Sequence, residues 1–119
     1  MDIEAFRTYC LSKKAVTEEL PFDENTLVFK VMNKMFALTD IELFESVNLK
    51  CVPDRALELR EQYEAVLPGY HMNKKHWNTV MMDGSVPDKL IMQWIDHSYD
   101  LVVQGLSKAH KDELDLIDE

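Results

Sequence analysis

The chain has 119 residues, a length that suits one domain spanning 1–119. A hydrophobic fraction of 46% and a charged fraction of 29% describe a folded globular protein and exclude a disordered one. A formal net charge of -9 argues against broad nucleic-acid affinity, because phosphate contact needs local positive charge.

In chain order, residues 2–13 predict an amphipathic helix. Ile3, Phe6 and Cys10 recur at spacings of three and four, and Asp2 is placed to cap. "TLVFKVMNKMFALTD" reads as a hairpin: Leu27, Phe29 and Val31 alternate with Val28, Lys30 and Met32. Asn33-Lys34 is the expected two-residue turn, and Met35 to Thr39 the return strand. "SVNLKCV" alternates again. Pro53 opens a helix in which Ala56, Leu59 and Tyr63 form one stripe. Pro68-Gly69 is a turn, and "WNTVMM" a strand closed by Asp83-Gly84. Ser85, with Asp88 three residues on, predicts a capped start to a long helix ending near Leu106. Leu90, Ile91, Trp94, Ile95, Ser98, Leu101, Val102 and Gly105 lie on one face of it. Ser107 is placed to cap a short last helix, and residues 112–119 read as a frayed acidic tail.

The residues leave open whether 66–72 adds a strand. Consecutive strands with short connections imply an antiparallel sheet. The expected fold is a two-layer α+β sandwich with about five strands covered on one face by helices.

No apolar run approaches the ~20 residues of a membrane span. Asp2 and Glu4 stand where a secretory signal would carry positive charge, so a cytoplasmic protein with no membrane partner is expected. Cys10 and Cys51 are expected reduced and buried as small hydrophobes. No CxxC pair points to zinc.

Residues 65–82 hold no acid and are the longest acid-free run in the chain. Within it, "PGYHMNKKHWNT" gathers two lysines, two histidines and a tryptophan. His71 and His76 lack a nearby carboxylate or Cys, so a metal would need distant ligands. Ser98 follows His97, but adjacent helical residues point apart, so no nucleophile–base pair forms. No Walker loop, nucleophile elbow or dinucleotide fingerprint is present. No catalytic residue, metal ligand or cofactor is assigned.

"PGYHMNKKHWNTV", with "VNLKC", "DGSVPD", "SYDLV" and the hairpin "FKVMNKMFAL", resembles the MmcQ/YjbR family of small bacterial proteins over nearly the whole chain. The resemblance implies an α+β fold similar to CyaY-like and secretion-chaperone-like domains. It implies a further strand around 66–71, giving the order α-β-β-β-α-β-β-α. It also implies DNA binding of a double-wing kind.

Three readings of the acid-free run follow. In the first it binds nucleic acid weakly. Lys74 and Lys75 contact phosphate, Trp77 or Tyr70 stacks a base, and His71, Asn73, His76, Asn78 and Thr79 complete the site, extended by Lys30, Lys34 and Lys50. In the second the chain is a protein-binding module working through its acidic surface and open strand edges. In the third the run is a structural corner: Trp77 packs under the sheet, and His71 and His76 tie the turn to the backbone.

Overall fold

The computed structural model describes residues 1–117. It is a two-layer α+β domain with one six-stranded antiparallel sheet. Helix α1 (Ile3–Leu11) leads into strands β1 (Val16–Glu19), β2 (Thr26–Val31), β3 (Lys34–Asp40) and β4 (Ser46–Lys50). Helix α2 (Pro53–Gln62), strands β5 (Val66–Pro68) and β6 (Trp77–Met81), and helices α3 (Asp88–Gln104) and α4 (Lys108–Leu116) follow. The order across the sheet is β1-β2-β3-β4-β6-β5.

The main core lies between the sheet and the helices. Phe6, Phe29, Phe36 and Ile95 are its largest fully buried side chains. Phe6 meets Phe29 edge to face at 5.7 Å. Each such ring contributes roughly 1.5–3 kcal/mol by leaving water. Ser98 is also fully buried in this layer. Its hydroxyl accepts the Lys50 N–H at 2.9 Å and donates to the Phe36 carbonyl, pinning α3 to β3 and β4. Both cysteines are free and buried. Burial pushes the Cys10 thiol up to about 12 against the opposing pull of Lys13.

The structure departs from expectation at several places. The sixth strand is β1, whose "VTEE" shows little hydrophobic alternation; it is specified by pairing Val16 with Val31 and Glu19 with Val28. The hairpin turn is Met32-Asn33, one residue before the expected pair. Both residues take left-handed φ, 47° and 67°, and Lys34 already belongs to β3. A bulge at Phe29/Lys30 sends both Phe36 and Ala37 into the core, which strict alternation does not anticipate.

Ser85 does not cap α3. Its N–H and hydroxyl both bond Asp83 Oδ1 in an Asx turn, at 2.9 and 2.6 Å, and Pro87 holds the N-cap position. Ser107 does cap α4, but α4 runs through most of the expected tail because Leu114 is buried against the core. The last two residues of that tail lie outside the described residues. Among the described residues, no helix is long and apolar enough to cross a membrane.

Candidate functional site

The helices cover one face of the sheet. On the other face β2 presents Val28, β3 presents Met35 and Leu38, and β6 presents Trp77. These four and Met72 form a second, smaller apolar cluster. The acid-free run builds its cover. After β5 the chain turns at Gly69, whose N–H bonds the Trp77 carbonyl at 2.9 Å. It then folds back over the open face, where the Tyr70 N–H bonds Thr79 Oγ1 at 2.9 Å. His71 takes a left-handed φ of 58°, and its ring lies 4.1 Å from that of Tyr70. Met72 drops into the apolar cluster.

Asn73 closes the loop. Its side-chain oxygen accepts the Lys75 N–H at 3.0 Å, and its carbonyl accepts from His76 and Trp77. Arg60 of α2 clamps the loop from the helix side, through Nε to Asn78 Oδ1 at 2.7 Å and Nη2 to the carbonyls of Lys74 and Trp77. The loop is a structural corner, but Asn73 and Arg60 tie it rather than the rings of His71 and His76. His71 is exposed, and the hydrogen bonds of His76 among the described residues run through its backbone, from its N–H to the Asn73 carbonyl at 3.1 Å and from the Cys51 N–H to its own carbonyl at 2.8 Å.

The predicted residues are split between two faces. Trp77 and Thr79 belong to the open face, while Asn78 points to the helix layer, where its amide reaches the Ala56 carbonyl. Trp77 is 8% exposed, too little to offer a face to a base. Lys74 Nζ bonds the Gly69 carbonyl at 3.2 Å, and Lys30 is ion-paired with Glu19. The register does gather lysines at one end of the sheet. Lys30 stands opposite Met35, Lys34 closes the hairpin, and Lys50 stands opposite Trp77. Lys34, Lys50 and Lys75 form no ion pair among the described residues.

Beside the loop lies an open groove of about 830 Å³. Met35, Leu38, Ser46 and Asn48 of β3 and β4 line it, with Tyr70 and His71 from the loop and Phe22 and Thr26 from the β1–β2 side. Phe22 is 64% and Tyr70 69% exposed. Asp40 and Glu45 also line it, and among the described residues no lysine or arginine does. At this end the β1–β2 and β3–β4 loops meet, with the Ile41 N–H on the Asn25 carbonyl at 2.9 Å. Residues 18–25 and 40–45 together carry seven acids and no base. Interleaved with them are the exposed side chains of Leu20, Phe22, Ile41 and Leu43. The sequence suggests an acidic surface without locating it, although "EELPFDEN" and "DIELFE" show its mixture of acid and apolar residues.

A six-stranded antiparallel sheet with helices on one face and a folded loop on the other defines a small two-layer α+β domain. The YjbR family model matches residues 11–101, and the chain belongs to that family. It is 36% identical to protein YjbR of Escherichia coli K12 over 112 residues, 93% of this chain and 95% of that one. It is 38% identical over 89 residues to protein YbdF of Escherichia coli O157:H7, 74% and 73% of the two chains. The crystal structure of Deinococcus radiodurans protein DR2400 is 42% identical with a TM-score of 0.89, over 98% of this chain and 90% of that one.

Proposed function

We propose that the chain is a cytoplasmic protein-binding module whose open sheet face receives a basic, apolar stretch of a partner polypeptide. The observation that carries this reading is the groove, with its apolar floor, its acidic end and, among the described residues, no lining lysine or arginine. Its lining runs along β3 from Met35 to Asp40. At 3.3–3.4 Å per residue that is about 17 Å, the length of a six-residue extended segment. Phe22 and Tyr70 supply aromatic anchors at the rim, a residue type enriched where proteins bind one another. Asp23, Glu24, Asp40, Glu42 and Glu45 form no ion pair among the described residues, so their charge is available to lysines or arginines of the partner.

The test is a twelve-residue random peptide display selected against the purified chain, with the enriched peptides synthesised and titrated. Enriched peptides should combine Lys or Arg with Leu, Ile or Phe. Their affinity should fall at least about tenfold in a Phe22→Ser, Tyr70→Ser variant, since aromatic anchors dominate such interfaces. No enrichment, or unchanged affinity in the variant, overturns the reading. Salt-dependent duplex DNA binding that is lost in Lys34→Ala, Lys75→Ala would replace it with the nucleic-acid reading.

A further inference from the structure

On the opposite side of the sheet, between α2, α3 and strands β4 and β6, lies a separate cavity of about 130 Å³. Its apolar wall is Leu49, Leu59, Val80 and the indole of Trp94. That volume suits one ring, since an apolar cavity of about 150 Å³ holds benzene. Its polar border combines cationic and neutral groups, Lys50 and Asn78 among them. Arg55, Gln93 and His97 line it, with the Cys51 thiol beside them, and among the described residues no Asp or Glu does. In a chain with 22 acidic residues this selects for a negative ligand.

The polar groups have capacity to spare. The Arg55 side chain is 52% exposed, and its ion pair to Glu58 is loose at 3.7 Å. His97 Nε2 accepts the Val52 N–H at 3.4 Å, which leaves Nδ1 to carry the proton of the neutral ring as a donor. The positive field is felt inside. Burial raises the Cys51 thiol above its ordinary value, while Arg55 and Arg60 both pull it down. Burial and then Arg55 hold His97 below its ordinary value, against the weaker pull of Asp100.

We propose that this cavity binds a small apolar carboxylate, its ring or branched chain against Trp94 and its carboxylate on the Arg55 guanidinium. The site is independent of the groove, since the two lie on opposite faces of the sheet.

The test is a titration of the isotopically labelled chain with sodium benzoate, followed by the two indole N–H resonances. The Trp94 signal should move saturably, while that of Trp77, on the other face, stays in place. Arg55→Gln, whose half-exposed side chain the fold does not need, should weaken binding by about tenfold or more, as should benzyl alcohol in place of benzoate. Absence of a saturable Trp94 shift up to the solubility of the salt overturns the proposal. So does equal movement of both indoles. Equal affinity in Arg55→Gln, or for benzyl alcohol, overturns the assignment of a carboxylate.

Discussion

Gly69 lies so close to Trp77 that a Cβ on the glycine would stand 2.8 Å from both the Trp77 Cβ and its carbonyl oxygen. The same Cβ would meet Met72 Cβ at 3.1 Å. The constraint is space, because the obstructing carbonyl belongs to β6 and cannot swing aside. Gly69→Ala should therefore destabilise the chain by about 1–3 kcal/mol, the usual cost of overpacking. Urea unfolding followed by circular dichroism measures this, and an unchanged midpoint would mean that the loop does not sit on Trp77 as described.

Arg60 should matter for the same corner from the other side of the sheet. Arg60→Ala leaves the buried Asn78 amide oxygen and the Lys74 and Trp77 carbonyls without that donor. A loss of about 1–3 kcal/mol is expected. Arg60→Lys should recover only part of it, because an ammonium cannot reproduce the planar fork. Amide hydrogen exchange across 70–76 should speed up in both variants. Exchange unchanged from wild type would show that the clamp is not what holds the loop.

Ser98 follows His97 along α3, and its position assigns it a structural task. Ser98→Ala orphans the Lys50 N–H and the Phe36 carbonyl in a site with no solvent access. We expect a loss of about 1–3 kcal/mol by thermal or urea unfolding, with the sheet otherwise intact. Ser98→Ala as stable as wild type would contradict the buried bridge.

His97 makes stability depend on pH. Burial, assisted by Arg55, lowers its pKa below the ordinary 6.5 in the folded chain. As pH falls below 6.5 the unfolded chain takes up this proton first, so the contribution of neutral His97, complete above that pH, is lost through the folded pKa. Protonation also turns Nε2 from an acceptor into a donor and breaks the bond from Val52. A nuclear magnetic resonance titration should place the His97 midpoint below 6.5. In His97→Gln the acid-side fall in stability should be shallower, and an identical pH profile would rule out this origin.

Much of this architecture was legible in the sequence because it follows from local pattern. The Phe6 and Cys10 stripe, the alternation through Leu27, Phe29 and Val31, Pro53 at its helix start, and Ile91 to Val102 on one helical face all record one buried side per element. What the pattern could not show depends on neighbours distant in sequence. Strand β1 exists because β2 offers an edge to Val16–Glu19. The bulge beside Lys30 redirects Phe36, and no residue type there signals it.

The candidate site shows the same divide. Sequence located the acid-free run, and the structure makes it the wall of the groove. Reading it as one cationic site overlooked the pleat of β6, which sends Asn78 and Trp77 to opposite faces, and the partners of Lys30 and Lys74. The acidic loops, 15 residues or more apart along the chain, become one surface through the β2–β3 pairing, which sets Thr26 opposite Asp40, and the contact of Ile41 with Asn25.

The proposed occupant of the open sheet face is a basic, apolar polypeptide segment. Its most direct measurement is chemical-shift mapping of the labelled chain with a peptide enriched by display. Shifts should concentrate at Phe22, Leu38, Asn48, Tyr70 and His71, with Trp94 on the far face unmoved. Shifts confined to Lys34, Lys74 and Lys75, or spread over the helix face with the groove silent, would contradict it.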